Sequence, residues 1–420
     1  MACLYIQSDN PTFSYAINKN PNSGIKGKNI RKGVSLGYFS SANQYNVVFL
    51  EGADSISFPA SINQQFSYID SSQYNSPNFI LASISNYFSS ALNKPNEFDI
   101  PSNYIFYVNS VCIKRNIIYK LLDFFPQFTF ELVPLAYQYG ELDKSNFSLK
   151  ITGNQVTLYE LLNLVYLLSF FFIIWDNIQI NVDSFLTQRL IKAAKIIDAP
   201  YYIRYLLKLY AIQPKDFKKF KDELEASDKY RIKLYGESNA NRRVNVISSL
   251  LTYQNDIVDF GAGEGAFLAL ANHLHNYTYY AIDKNPNMID KLNKKIITKN
   301  LDNVVVLESI DEFIAENKYD VIMSEVFEHN KLSYMTDLIN RFLNDNLCQK
   351  IIITTPNKEF NQFYLLNDNE LRHEDHQFEM TFNELNDYFK QFNVKYQIKN
   401  LGDEVNDIPT IWLIILDKTI

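Results

Sequence analysis

Cysteine is scarce in this chain: Cys3, Cys112 and Cys348 are spread over 420 residues. That spacing excludes a zinc-ligand pattern and a disulfide framework, and it suits a reducing cytoplasm, the location expected for the protein. An excess of positive charge is missing too. The formal net charge is −7, which argues against a protein that coats nucleic acid nonspecifically. The segment MACLYIQSDN at 1–10 has no basic stretch followed by an apolar run, so a secretory signal is not expected. No apolar run reaches the roughly 20 residues needed to cross a bilayer. The longest, at 161–175, is flanked closely by Glu160 and Asp176, with no Lys or Arg directly behind it. It reads as a buried core helix, and no membrane partner is expected. No internal repeat is visible.

What is present is apolar bulk. A hydrophobic fraction of 47%, with 15% aromatic, supplies packed cores and excludes wholesale disorder. A chain of 420 residues predicts two or three domains. Charge divides unevenly, with −10 over residues 241–420 and +3 over 1–240.

Residues 1–213 are expected to form a mixed α+β domain. The pattern predicts a strand at 46–51, a helix at 79–88, and helices from 158 to 212. Strands and short helices are not separable over 101–132. Residues 214–230 are then dense in both charges and nearly free of large aliphatics, so 214–238 is expected to be a charged linker or exposed helix.

From 239 to 420 helical and strand patterns alternate. Helices are expected at 239–253, 265–275, 286–296 and 334–343. Strands are expected at 256–260, 277–282, 304–307, 320–324, 350–355, 394–401 and 410–416. This alternation predicts a doubly wound, Rossmann-like α/β sheet with its ligands at the carboxyl ends of the strands.

The first predicted strand of that sheet runs through Asp259 into Gly261, Gly263 and Gly265. Glycines there permit a tight turn and close approach of the backbone to a ligand. A glycine-rich turn alone is shared with dinucleotide enzymes. Here the form is GxGxG with an acid two residues upstream, and the next strand ends at Asp283, placed to accept from both hydroxyls of a ribose. The pair of motifs resembles the S-adenosylmethionine-dependent methyltransferases. Ser309, after the third strand, fits either an adenine contact or an ordinary cap.

The fourth strand runs into Glu325-Val326-Phe327-Glu328-His329. On a helical turn, i, i+3 and i+4 share a face, so Glu325, Glu328 and His329 are expected to converge. Further on, 371–379 supplies His373 and His376, two of the five histidines. Two carboxylates with one or two imidazoles suit a divalent ion of the Mg²⁺, Mn²⁺ or Fe²⁺ kind rather than structural zinc. The plain alternative for such a run is a solvated helix face.

Three blocks together, EVFEH at 325–329, TTPNKEFN at 354–361 and RHEDHQFEMT at 372–381, resemble the signature blocks of the 3′-terminal RNA ribose 2′-O-methyltransferases. Segments 13–21, 76–83 and 151–163 are similar to blocks in the N-terminal domain of that family's bacterial RNA-repair branch. The resemblance implies methyl transfer from S-adenosylmethionine to the 2′-OH of the 3′-terminal nucleotide of RNA, with one divalent cation (Mg²⁺ or Mn²⁺). It implies Glu325, Glu328, His329 and His376 as metal ligands. Cofactor contacts fall to Asp259, Gly261, Gly263, Gly265, Asp283 and Ser309, and the proton acceptor to His329 or His373. It implies as partners RNA with a free 3′ end and a polynucleotide kinase-phosphatase/ligase supported by residues 1–213. An acidic catalytic domain must then hold RNA locally, by its end and a bound cation, or receive it from a partner. Met380 stands where the family usually has Trp, and Phe382 where it usually has Arg. Two other readings stay open: a metal-dependent O-methyltransferase of a small diol or catechol, and a non-catalytic scaffold of a repair complex.

Overall fold

The computed structural model describes residues 2–30, 33–51, 76–113, 121–135, 146–175, 180–367 and 369–418. They divide into two units, Met1–Lys229 and Tyr230–Ile420.

The first unit is built on strands β1 (Ala2–Ser8), β2 (Lys26–Ile30), β3 (Gly33–Ser41), β4 (Gln44–Glu51), β5 (Ser102–Cys112), β6 (Phe128–Pro134) and β7 (Asn146–Val156). They form one sheet in the order β2-β3-β4-β1-β5-β7-β6, and every pairing is antiparallel. Burial alternates along β1, with Ala2, Leu4, Ile6 and Ser8 inward, as one covered face requires. The helices are α1 (Phe13–Ala16), α2 (Pro77–Tyr87), α3 (Ser89–Asn93), α4 (Leu158–Trp175), α5 (Ser184–Ile196), α6 (Tyr201–Tyr210) and α7 (Phe217–Glu225). Helix α4 is long and apolar enough to cross a membrane by length and composition. It is instead the central core helix expected from its acidic flank, packed by α2, α3, α5, β5 and β7. The buried Asp99 carboxylate accepts from Leu158 N and Tyr159 N at 2.7 and 2.9 Å, which satisfies donors that a helix start leaves open.

The charged stretch expected as a linker does not behave as one. Helix α7 sits inside it and buries Phe217, Phe220 and Leu224, a 3-4 spacing that gives an otherwise charged helix one apolar stripe. It packs on α5 and α6. The first unit therefore runs on to Lys229, and residues 232–233, at the far end of the expected linker, form strand β8 of the second unit.

The second unit contains β8 (Ile232–Lys233), β9 (Asp256–Phe260), β10 (Tyr279–Ile282), β11 (Val304–Leu307), β12 (Tyr319–Ser324), β13 (Cys348–Pro356), β14 (Lys395–Val405) and β15 (Ile408–Asp417). The order is β11-β10-β9-β12-β13-β15-β14-β8. Strands β9 to β13 are parallel, whereas β15, β14 and β8 continue antiparallel. Helices α8 (Asn239–Leu250), α9 (Pro286–Lys299), α10 (Leu332–Asn344) and α11 (Phe382–Phe389) accompany them. Two apolar clusters, one containing Phe327, Met335 and Phe389 and the other Leu268, Leu292 and Ile352, cover the sheet. This is the predicted doubly wound fold. Strand order reverses between β9 and β12, which opens a crevice at their carboxyl ends, where such sheets bind ligands.

Local details differ from the expectation. The helix expected at 265–275 is a short 3-10 helix, Leu268–His273, because Gly261, Gly263 and Gly265 all hold positive φ and delay helical backbone. Helix α11 was not expected from periodicity. A capping box marks its start, with Thr381 and Glu384 each bonding the other's backbone N–H.

Candidate functional site

The glycine turn after β9 is clipped to the end of β10. Gly261 N and Ala262 N both donate to Ile282 O, at 2.8 and 3.0 Å, and Gly263 N donates to the Asp283 carboxylate at 2.8 Å. The other Asp283 oxygen accepts from Asn285 N at 2.9 Å. At Gly261 φ is +76°, and a Cβ there would overlap Val326 Cγ2, so any larger residue at that position meets both backbone strain and a clash. A cleft of about 660 Å³ opens beside the turn, and Gly261, Asp283, Ser309, Glu325 and His329 all line it. Cofactor motif and acceptor motif thus face one space.

Asp259 belongs elsewhere. It is buried and absent from that lining. Its carboxylate accepts from Tyr279 Oη on the neighbouring strand at 2.5 Å, so it braces the sheet beneath the turn rather than meeting a ligand. Burial pushes the Asp259 carboxyl up to about 7, against a smaller opposing effect of the Tyr279 hydrogen bond. An acid whose folded pKa is raised stabilises the fold fully below its unfolded pKa of 3.8 and loses that contribution as pH rises through about 7. The full loss is roughly 4 kcal/mol. Asp259→Asn, which can still accept from Tyr279, is expected to flatten this fall, as melting temperatures across the window from about pH 4 to about pH 8 will measure.

Ser309 lines the cleft, but its hydroxyl caps the turn Ile310–Glu312 by accepting from Asp311 N at 3.2 Å. Gly263 and Gly265 lie outside the lining. Gly265 makes room for Leu292 on α9, where a Cβ would sit 2.8 Å from Leu292 Cδ2.

Glu328, His329 and His376 offer ligand atoms that all lie within 4.8 Å of one another. They meet through different local structure from the helical face expected. Glu325 holds φ +56°, and only Phe327–His329 is helical, as a 3-10 turn. The left-handed residue turns the chain sharply off β12. The Glu325 carboxylate then accepts from Thr354 Oγ1 at 3.2 Å and pairs with Arg243 at 3.6 Å, so it stands outside the three-residue group. Arg243, on α8, was not singled out from the sequence.

Glu328 is fully buried. Its Oε2 accepts from Thr355 Oγ1 at 3.0 Å, and its Oε1 has no hydrogen-bond partner. Burial, then the nearby Glu325 charge, pushes its carboxyl well above the usual range. Burial, followed by His376, holds the His329 imidazole below its ordinary pKa, and its ring N–H donates to the Asp375 carbonyl. The His329 and His376 rings are 4.7 Å apart at 83°. His376 Nδ1 bonds Glu379 Oε1 at 2.6 Å, and the buried Glu379 also accepts from Arg372 N and Asn361 Nδ2. Such a carboxylate fixes the tautomer and aims Nε2 outward. Its His-x-x-Glu spacing was a signal the sequence reading passed over. A buried carboxylate oxygen without a donor, beside two oriented imidazoles, fits a divalent cation.

His373 lies on the rim, more than half exposed, with ring centroids 5.8 Å from His376 and 6.4 Å from His329. Met380 is partly buried against the core. Phe382 is 40% exposed and leans on Trp412, 5.5 Å away.

Comparison with known proteins agrees with this division of the chain. Residues 3–229 match the Hen1 N-terminal domain family and residues 258–346 match a methyltransferase domain family. No curated protein matches the chain. Among solved structures, a chain of the Pnkp1/Rnl/Hen1 RNA repair complex is 23% identical, with 99% of this chain and 100% of that one covered and a TM-score of 0.80. A second structure of a Pnkp1/Rnl/Hen1 complex gives 22%, 99%, 99% and 0.77. These likenesses show a shared fold along nearly the whole chain. With more than half of its length matched by the Hen1 N-terminal domain and a methyltransferase fold behind it, the chain belongs to the Hen1 family.

Proposed function

We propose that the protein transfers a methyl group from S-adenosylmethionine to the 2′-OH of the 3′-terminal nucleotide of RNA, with one divalent cation. The observation that carries this is Glu328 Oε1, buried and unpartnered beside His329 and His376, next to the cleft behind the glycine turn. Glu328, His329 and His376 would hold the ion, with Glu325 joining when it parts from Arg243. When bound, the ion supplies Lewis-acid polarisation of an acceptor hydroxyl. Asp283 would fix the cofactor ribose and Gly261 admit its methionine end. His329 donates one ring nitrogen to Asp375 and offers the other to the group, which leaves His373 on the rim to take the acceptor's proton.

Methyl transfer should be compared on RNA ending in a 2′,3′-diol, the same RNA ending in a 3′-phosphate, and catechol. Only the diol RNA is expected to react at an appreciable rate, and preferred turnover of catechol would select the small-diol reading. The likeness to a chain of the Pnkp1/Rnl/Hen1 complex supports a kinase-phosphatase/ligase partner for residues 1–229, to be tested by co-purification.

Asp283→Ala removes an acceptor that two backbone N–H groups already use and that a ribose would share. Each charge-assisted bond contributes about 1.5–3 kcal/mol. S-adenosylhomocysteine binding is therefore expected to weaken at least about tenfold by calorimetry, and unchanged affinity would reject the placement.

A further inference from the structure

A second cleft, of about 920 Å³, lies wholly in the first unit between the chain around α1 and the loop 94–98 before β5. Its two walls are tied together. Asn10 Nδ2 and Thr12 Oγ1 donate to Phe98 O at 3.0 and 3.1 Å, while Asn96 Nδ2 donates to Tyr15 O and Ala16 O at 3.3 and 3.2 Å. The cleft is therefore preformed.

Lys19 stands on its wall. The ammonium lies over three rings, 4.9 Å from the centroid of Tyr45, 5.6 Å from Tyr87 and 5.7 Å from Phe88. Those rings hold it in place, and among the described residues no carboxylate pairs with it. Burial, with Lys28 and Lys26 adding to it, pushes its pKa down to about 8, so it is still charged at neutral pH. Lys94 lines the same cleft, also without a carboxylate among the described residues. Among the described residues Glu97 is the one acid on the lining, which also carries asparagine, serine and proline side chains. Tyr15 and Phe98, 63% and 36% exposed, form a ring pair with centroids 5.0 Å apart.

We propose that this cleft binds single-stranded RNA, a phosphate resting on Lys19 and Lys94 and a base on the Tyr15–Phe98 pair. The choice of RNA rests on the function proposed above. Exposed aromatic rings beside cations that lack counter-ions are the elements that hold single strands without reading sequence. A half-buried ammonium with no anion gains most from a phosphate. Residues 241–420 carry −10, so a polyanion needs a grip elsewhere in the chain.

The test uses the full chain without metal or cofactor and a labelled RNA of about 12 nucleotides ending in a 3′-phosphate, followed by anisotropy. Lys19→Glu with Lys94→Glu is expected to raise Kd at least about tenfold and to reduce the salt slope by about 1–2. Tyr15→Ala with Phe98→Ala should raise Kd with the slope unchanged. Adenosine monophosphate competing far better than inorganic phosphate supports a nucleotide site, whereas equal competition overturns the stacking half. Wild-type affinity and slope in both double variants, at unchanged melting temperature, overturn the proposal. So does capture of an acidic peptide through these residues while RNA binding stays intact. Because this RNA has no free 3′-OH, the binding result stands apart from methylation: loss of binding in the variants with no methylation of diol RNA would remove only the catalytic reading.

Discussion

Glu328→Gln is expected to lower methyl transfer by roughly two to three orders of magnitude while S-adenosylhomocysteine affinity stays near wild type. The two effects separate because Glu328 belongs to the ligand group but not to the lining of the cofactor cleft. A second readout needs no turnover. An ion that binds only the folded protein stabilises it by about 2.7 kcal/mol at a hundred times its Kd. For a unit of this size that raises the melting temperature by roughly 5–10 °C. Wild type should show this rise on adding Mn²⁺ and lose it in chelator, and the glutamine variant should show none. In chelator the two should melt within a few degrees, since glutamine keeps the acceptor for Thr355 and removes a carboxylate that burial disfavours. Full turnover, or an undiminished Mn²⁺-dependent rise, would mean the ion sits elsewhere.

The sheet of the second unit was legible because parallel strands buried on both faces are written as local apolar runs, such as 320–324 and 350–355, punctuated by glycine and acid motifs. The residues of the acceptor group were legible as a set, but not their geometry. Helical spacing predicted that Glu325 would join Glu328 and His329. A left-handed φ at Glu325 decides otherwise, and no pattern of residue types announces positive φ at a glutamate. Asp259 read as a ligand contact because it stands two residues before the turn. Whether a strand-end acid points to the cleft or to the neighbouring strand depends on its cross-strand partner, here Tyr279, twenty residues away. The stretch 214–230 misled for a different reason. Its charges outnumber its apolar residues, yet Phe217, Phe220 and Leu224 fall on one face, and three large side chains are enough to dock a short helix. Arg243 and Glu379 act through Glu325 and His376, so they become visible only once those partners are placed.

The same dependence on partners makes Gly261 the position where cofactor turn and acceptor segment are mechanically one. Gly261→Ala meets two penalties. A left-handed φ of +76° costs an L-residue roughly 1–2 kcal/mol, and overlap of the new Cβ with Val326 costs roughly 1–3 kcal/mol more. S-adenosylhomocysteine affinity is expected to fall about 30-fold or further, a larger loss than at Gly263. There a Cβ meets nothing closer than Gly261 O at 4.0 Å, and only the conformational penalty applies. Val326 is also the second residue of the segment that carries Glu328 and His329, so pushing it aside displaces that segment too. Gly261→Ala should therefore shrink the Mn²⁺-dependent rise in melting temperature, which Asp283→Ala should leave intact. Adding Val326→Ala to Gly261→Ala removes the overlap and keeps the strained φ. Cofactor affinity is then expected to recover by about tenfold without reaching wild type, and the Mn²⁺ response to recover in full. If the alanine at 261 weakens cofactor binding but leaves the Mn²⁺ response untouched, the two motifs share a cleft without being mechanically coupled.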